Sequence, residues 1–288
     1  MWLRRILWWR YPGKGASRAQ GFTDCVGHEQ MEWGVNMVRI AIVGCTGKLG
    51  SAMIKNILSR EDVKLSHAIA RKGNPFVGKK VSELISCNDA TVVIDEIESA
   101  TDCDVFIDCT NTEAFMNNNY EKYQKMNKPV VIATTGFSDE DKEKIAILAK
   151  KIPILISGNF SVALYHFLKT IEFAAKRIDD DTDIQIVEYH HNQKKDAPSG
   201  TAIMIQNALV NANDKLTPEK INIHSVRGGN IFGEHEVIFA NSKDEVITFK
   251  HQVSSREAFA KGAIDIAIWI VNQVNGVYNM MHFCGDNQ

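Results

Sequence analysis

A short β-branched run followed by regularly spaced glycines and a helical pattern constrains the fold of this chain more than any other feature. Residues 38–43 (VRIAIV) have the composition of a buried parallel strand, and glycines follow at positions 44, 47 and 50. A helix-like stretch, SAMIKNILSR, comes next. In such a strand–turn–helix unit, glycine lets the backbone approach a pyrophosphate, and the helix N-terminus offers free N–H groups. The pattern therefore predicts a nucleotide-binding unit.

The alternation of strand and helix continues as far as residue 160. Apolar strand-like runs occupy residues 63–69, 104–109, 129–134 and 153–157, with helical patterns at residues 113–127 and 138–152. In an open parallel sheet, ligands bind at the carboxyl ends of the strands. We therefore expect the turns at Gly44, Thr110, Thr134 and Gly158 to line one crevice.

The residues after the second strand bear on the choice of coenzyme. NAD-binding units usually place an acidic residue here, which bonds the ribose 2′-hydroxyl. This chain has Ala70, Arg71 and Lys72 instead. Two cations fit a 2′-phosphate, which favours NADPH, with NADH as the alternative. A solvated turn that contacts no ligand is the other interpretation of Arg71 and Lys72.

The pattern changes after residue 161. A long amphipathic helix precedes four strand-like runs, of which the last three follow one another without a helix between them. This predicts a second α+β domain with a mixed or antiparallel sheet at residues 162–263. The final apolar helix is expected to return to the first domain. The predicted fold class is α/β: a Rossmann-type parallel-sheet dinucleotide-binding domain at residues 37–161 and 264–288, plus the second domain.

The loop after the first strand of the second domain concentrates the chemistry. His190 and His191 are adjacent, Lys194 follows, and Gly200 and Thr201 begin a helical run. Imidazoles titrate near neutrality and relay protons, while a helix N-terminus binds carboxylates. A solvated loop beside a capped helix does not account for both histidines and the lysine. The loop therefore predicts an anionic, carboxylate-bearing substrate. No metal site is expected, since adjacent histidines point to opposite sides of a strand and the loop has no cysteine ligand.

These motifs together resemble one enzyme family. The stretch EYHHNQKKDAPSGTA fits the pattern E-x-H-H-x-x-K-x-D-A-P-S-G-T-A of dihydrodipicolinate reductases, and VGCTGKLG, FIDCT, ATTGFS, SGNFSVA, GEHEVIFA and SSREAFAKGA follow the family in order. The resemblance implies a reductase of the diaminopimelate route to lysine that makes tetrahydrodipicolinate. It implies that His190 donates and accepts a proton and that Lys194 donates one. His191, Gly200 and Thr201 would then bind the substrate carboxylates.

The resemblance also implies a coenzyme site and an assembly. The coenzyme residues would be Gly44, Cys45, Thr46, Gly47, Lys48, Leu49, Ala133, Thr134, Thr135, Ser157, Gly158, Asn159 and Phe160. A homotetramer would form through the sheet of the second domain. Two alternatives remain: another two-domain NAD(P)-dependent oxidoreductase, and a nucleotide-sensing protein without activity.

Composition bears on the partners and the cellular compartment expected for the protein. The net charge of −2 gives no basic field for nucleic acid or membrane surfaces, and no apolar run reaches the length of a membrane span. The six scattered cysteines favour a reducing cytoplasm. Residues 1–20 have five basic residues, no acidic one and three tryptophans, and residues 1–36 are expected to form an extension with little structure. Met37 is a candidate start of translation, which sequencing of the native N-terminus tests.

Overall fold

A seven-stranded, fully parallel sheet forms the first half of the fold. The computed structural model describes residues 37–286, so the predicted extension at residues 1–36 lies outside the described range. The strand order is β11-β6-β5-β4-β1-β2-β3. The strands are β1 (Val38–Val43), β2 (Val63–Ile69), β3 (Val93–Ile94), β4 (Val105–Asp108), β5 (Val130–Ile132), β6 (Pro153–Ile156) and β11 (Gly276–Tyr278). The predicted Rossmann-type sheet is confirmed.

Helices cover both faces of this sheet. They are α1 (Lys48–Leu58), α2 (Val81–Leu84), α3 (Thr112–Ala114), α4 (Tyr120–Met126), α5 (Asp139–Leu148), α8 (Glu257–Ile270) and α9 (Met280–Phe283), with a π-helical turn, Phe115–Asn119, between α3 and α4. Ile40 and Ile42 of β1 pack with α1 and α8, whereas Ala41 and Val43 point into the cluster formed with α4 and α5. This alternation along β1 is what a strand buried on both faces requires.

The second sheet is mixed, as predicted. Its order is β10-β9-β7-β8, and β7 runs parallel to β8 but antiparallel to β9. The strands are β7 (Asp183–His190), β8 (Ile221–Arg227), β9 (Gly233–Ala240) and β10 (Val246–Val253), and the helices are α6 (Val162–Ala175) and α7 (Gly200–Ala212). Ile184, Ile186 and Val237 form the core with both helices. The outer strand β10 leaves Val246 and Ile247 exposed.

The domain boundary predicted between residues 263 and 264 falls inside α8 and needs correction. Ala260, Ala263 and Ile264 are all fully buried in the same cluster as Ile42. The whole of α8 therefore packs on the first sheet, and the chain returns to it before residue 260.

Two features of the described chain concern membrane insertion and the state of the cysteines. Within residues 37–286, no helix combines the length and the apolar character needed to cross a membrane. Cys45, Cys87, Cys103, Cys109 and Cys284 are free thiols. Burial raises the pKa of the Cys45 and Cys103 thiols to about 12, which keeps both protonated.

Candidate active site

The glycine turn after β1 is shaped for a phosphate group. Gly44 has φ = +87°, and a Cβ there would lie 2.9 Å from the carbonyl oxygen of Cys109. A Cβ on Gly50 would lie 2.4 Å from the Gly44 carbonyl oxygen. Glycine is thus required at both positions for β1, β4 and α1 to meet this closely. Gly47 is the N-cap of α1 and has no side chain to bond the N–H groups of the first turn, which suits a pyrophosphate.

Most of the residues predicted to bind coenzyme meet at the carboxyl edge of the first sheet. A cavity of about 360 Å³ lies beside Gly44, and another of about 230 Å³ lies beside the start of α1. The predicted residues that line the two cavities are Gly44, Lys48, Leu49, Arg71, Ala133, Gly158, Asn159 and Phe160. Cys45 and Thr134 are buried in the core behind these turns, so their side chains support the turns from inside.

The other predicted residues lie on the same turns but outside the two cavities. Thr46 accepts a hydrogen bond from the Asn74 amide (3.3 Å), and Gly47 is exposed at the start of α1. Thr135 packs its methyl group against Gly158, where an added Cβ would come within 3.1 Å of it. The Ser157 hydroxyl donates to the carbonyl oxygen of Asn159 at 2.6 Å and thereby shapes the turn after β6.

The cavity beside Gly44 contains acidic residues that the sequence analysis missed. Arg71 and Lys72 line it as expected, but Asp95 and Glu96 line it as well. These carboxylates follow β3, a strand of two residues that pairs with the end of β2. Glu96 forms an ion pair with Lys122, with 3.0 Å between Oε2 and Nζ. Asp95 is the second carboxylate that lines the cavity. So short a strand gives no periodic signal in the sequence.

The predicted proton site lies at the end of β7 and is organised by a buried carboxylate. Glu188 is fully buried, and its Oε2 lies 2.6 Å from Nδ1 of His190. Its Oε1 accepts hydrogen bonds from the Ser225 hydroxyl (2.6 Å), Arg227 Nη2 (2.8 Å) and the Ser199 N–H (3.1 Å). Burial alone would raise the pKa of Glu188, but these hydrogen bonds outweigh burial and lower its pKa to about 2.

The ionised carboxylate determines the state of His190. Burial lowers the pKa of His190, Glu188 opposes that shift, and the charges of Lys194 and Arg227 lower it further. The ring is therefore neutral at pH 7. The carboxylate requires the single proton on Nδ1, which leaves Nε2 free as an acceptor. Gly233 keeps the space at Nε2 open, because a Cβ there would lie 3.3 Å from that nitrogen.

The predicted carboxylate site lies at the start of α7. Ser199 is the N-cap, and its hydroxyl accepts a hydrogen bond from the Ala202 N–H at 3.1 Å. Gly200 and Thr201 form the first turn, as expected. Lys194 lies on the loop before it, paired with the exposed carboxylate of Asp196 at 2.7 Å. His191 is half-buried, and its carbonyl oxygen accepts a hydrogen bond from the Lys194 N–H, which turns the loop.

A small cavity lies at His190, next to the coenzyme crevice. It measures about 110 Å³ and is lined by residues of both halves of the fold: Asn159, His190, Thr201, Phe232, Gly233, His235, His251, Val253 and Phe259. Asn159 and Phe259 also line the cavity beside α1. The two spaces are therefore adjacent. His235, Arg256 and Phe259 were missed as site residues, although they fall within the motifs GEHEVIFA and SSREAFAKGA.

Three side chains of this site could in principle hold a metal ion. Ligand atoms of Glu188, His190 and His235 lie within 4.8 Å of one another. However, Oε2 of Glu188 and Nδ1 of His190 lie only 2.6 Å apart, and Arg227 pairs with the same carboxylate at 2.8 Å. Zinc ligands each sit about 2.0–2.2 Å from the ion, which this close pair does not accommodate well. The geometry favours direct contact of Glu188 with His190 and Arg227, and the expectation of no metal stays a prediction.

Comparisons with known proteins cover nearly the whole of the described chain. Family models described as dihydrodipicolinate reductase, N-terminus and C-terminus, match residues 38–160 and 163–284. The chain is 36% identical over 267 residues to the 4-hydroxy-tetrahydrodipicolinate reductase of Geotalea daltonii, which covers 86% of this chain and 99% of that protein. It is also 36% identical over 265 residues to the reductase of the same name from Buchnera aphidicola subsp. Baizongia pistaciae, with 85% and 97% covered.

A solved structure agrees with this assignment. The dipicolinate-bound dihydrodipicolinate reductase from Paenisporosarcina sp. TG-14 superposes with a TM-score of 0.69 at 26% identity, covering 86% of this chain and 99% of that one. Sequence and fold thus agree over both halves, and the matched segments contain the glycine turn, the Glu188–His190 pair and the start of α7. By these matches the chain belongs to the dihydrodipicolinate reductase family.

Proposed function

We propose that this protein reduces 4-hydroxy-tetrahydrodipicolinate (dihydrodipicolinate) to tetrahydrodipicolinate with a nicotinamide nucleotide, in the diaminopimelate route to lysine. The observation that carries the proposal is that the coenzyme crevice and the cavity at His190 are adjacent, with Asn159 and Phe259 lining both. Hydride transfer requires the donor and the acceptor carbon to be in contact, and adjacent sites would place the two ligands side by side. Relatives at 36% identity carry the name of this reaction.

The chemistry is divided between the bound nucleotide and the side chains of the loop after β7. When bound, the nucleotide would supply the hydride, and the 4-hydroxyl group of the substrate would leave as water. Lys194, a cation next to the start of α7, donates a proton to the substrate ring, and His190 accepts and returns protons through its free Nε2. The exposed Asp196 carboxylate that pairs with Lys194 would give way to the substrate. The N–H groups of Gly200 and Thr201, with His191, would hold the carboxylates of the substrate.

The coenzyme is proposed to be NADPH, with NADH as a possible second donor. Gly44 to Leu49 would hold the pyrophosphate, because the uncapped start of α1 and the glycine turn fit it. Arg71 and Lys72 would pair with the 2′-phosphate. Asp95 in the same cavity offers a carboxylate to the ribose hydroxyls, so use of NADH is compatible with this site.

The second sheet is proposed to bind substrate and to assemble a homotetramer in the cytoplasm. Val246 and Ile247 on β10 are 63% and 59% exposed, and Phe173 on α6 is 61% exposed. Phe173, Val246 and Ile247 line one open cavity, and exposed large apolar side chains grouped in this way are typical of an interface between subunits. Sedimentation equilibrium should give a tetramer, and Val246→Asp should give smaller species. A monomeric wild-type protein would contradict this proposal.

Coenzyme oxidation tests the proposed function. The protein is mixed with NADPH and the fresh product of dihydrodipicolinate synthase, and oxidation is followed by absorbance. We expect turnover with this substrate, none with open-chain amino acids or semialdehydes, and inhibition by dipicolinate, the ligand bound in the solved relative. Activity on open-chain acids alone would favour another two-domain oxidoreductase. Coenzyme binding without turnover on any substrate would favour a nucleotide sensor.

A further inference from the structure

We propose that Glu188 is a positioning residue that fixes His190 and the start of α7 relative to each other, so that proton transfer and carboxylate binding share one buried anchor. The consequence for turnover rests on the proposed function. That Glu188 fixes both the ring of His190 and the N-cap of α7 is independent of the proposed function.

Contacts from three elements carry the inference. His190 comes from the same strand, two residues further on and on the same face. Ser225 and Arg227 come from β8, where the parallel register pairs Ser225 with Glu188 and Arg227 with His190. Ser199 belongs to the N-cap of α7 and donates its backbone N–H. A single side chain thus joins two strands and one helix at the point where they form the site.

The two oxygens of Glu188 have separate partners. Oε1 accepts all three hydrogen bonds from Ser199, Ser225 and Arg227, and Oε2 faces only His190 among these partners. A buried carboxylate is costly unless it is paired and hydrogen-bonded. The donors on Oε1 keep the group ionised, so that Oε2 can hold the Nδ1–H of His190. Without that charge, nothing in this arrangement would select the tautomer that leaves Nε2 free.

His235 limits the other orientations that His190 could adopt. It lies opposite Glu188 on β9, and its ring is edge-on to His190 with the centroids 5.4 Å apart. Its Nε2 lies 3.2 Å from the Ser199 hydroxyl, so it also contacts the N-cap of α7. The charged and titratable groups facing His190 are therefore Glu188, Lys194, Arg227 and His235. Glu188 is the only one of these four that carries a negative charge.

The experiment compares Glu188→Gln with Glu236→Gln. Glu236 lies on β9 of the same sheet and pairs with Lys250 at the surface, so it controls for the substitution itself. The first readout is the tautomer of His190 in the free protein, from nitrogen NMR of histidine-labelled samples assigned with His190→Gln. We expect the Nδ1–H tautomer in the wild type and in Glu236→Gln. We expect a mixed or Nε2–H tautomer in Glu188→Gln.

The second and third readouts are ligand affinity and turnover. In Glu188→Gln, the dissociation constant of dipicolinate should rise about tenfold, as expected for a lost hydrogen bond to a charged group. Turnover should fall by about 100-fold or more. The limb of the pH–rate profile that reports the ionisation of His190 should move to lower pH, because the carboxylate that raises the pKa of His190 is lost. His190→Gln should lose turnover but keep its dipicolinate affinity within about twofold, since a ring substitution leaves the Ser199 contact in place.

The outcomes separate this inference from the proposed function. An unchanged His190 tautomer or unchanged dipicolinate affinity in Glu188→Gln would overturn the positioning role. If the wild type shows no turnover, the proposed function fails, but the tautomer measurement still decides on Glu188. Should Glu188→Gln not fold, as judged by circular dichroism and coenzyme binding, Glu188→Asp takes its place. Glu188→Asp keeps the charge on a shorter side chain, so it should retain the Nδ1–H tautomer of His190 but bind dipicolinate more weakly. Wild-type dipicolinate affinity in Glu188→Asp would also overturn the positioning role of Glu188.

Discussion

Gly262 is the position where a single added methyl group should most disturb the coenzyme crevice. A Cβ at this position of α8 would lie 1.9 Å from the backbone carbonyl oxygen of Phe160. Because real Cβ atoms keep at least 3.0 Å from such atoms, α8 or the turn must move by 1.1 Å, the difference of the two distances. The neighbours Ala260, Ala263 and Ile264 are fully buried, so a shift of this size opens gaps along the whole contact.

The cost of Gly262→Ala can be worked from two opposing effects. Overpacking a tight contact costs about 1–3 kcal/mol, and the backbone oxygen of Phe160 cannot rotate away, which places this site at the upper end. Replacing glycine by alanine inside a helix stabilises the folded state by about 1 kcal/mol. The expected net loss is about 2 kcal/mol in the free energy of unfolding, together with weaker coenzyme binding, since Phe160 lines the crevice.

Urea denaturation measures this loss, and fluorescence titration measures the coenzyme affinity. Gly276→Ala is the matched control, because a Cβ there meets only the ring of Tyr278 at an ordinary 3.7 Å. We expect the control to unfold within about 0.5 kcal/mol of the wild type, as is usual away from special sites. If Gly262→Ala unfolds at the same urea concentration as this control, the close packing of α8 on the Phe160 turn is not as described.

Three further predictions concern the site. Lys194→Ala should lower turnover by about 100-fold or more and leave NADPH binding nearly unchanged, and near-full activity would remove its role as a proton donor. Arg71→Ala should weaken NADPH binding more than NADH binding, as measured by titration with both, and an unchanged preference would exclude a contact with the 2′-phosphate. Burial lowers the pKa of His235 from 6.5 to about 4, so the unfolded chain binds a proton that the folded chain does not. The stability should therefore fall as the pH drops from 6.5 to 4, by up to about 3 kcal/mol from this residue. His235→Gln should flatten that dependence in urea titrations, and equal slopes would contradict the burial effect.

The first sheet was largely predictable from the sequence because its strands are buried on both faces. The run at residues 38–43 is apolar throughout, and the structure places β1 over the same residues. The strands β3 and β11 were missed, since two or three residues give no period to detect.

The candidate site was predictable only where its residues are close in sequence. His190, Lys194 and Thr201 fall within one loop, so motif and chemistry pointed to them together. The pairing of Glu188 with Ser225, Arg227 and His235 depends on the strand order β9-β7-β8 and its register. A single sequence does not specify which strands become neighbours. The buried anchor of the site therefore became visible only in the fold.

In the proposed reaction, a hydride passes from a nucleotide in the crevice to a substrate ring held at α7. Transfer of deuterium tests it most directly: the protein is incubated with NADPH deuterated at the transferable position and the product of dihydrodipicolinate synthase. Mass spectrometry of the tetrahydrodipicolinate formed should show one deuterium per molecule, and His190→Gln or Lys194→Ala should suppress its formation. Tetrahydrodipicolinate without deuterium, or coenzyme oxidation without this product, would contradict the account.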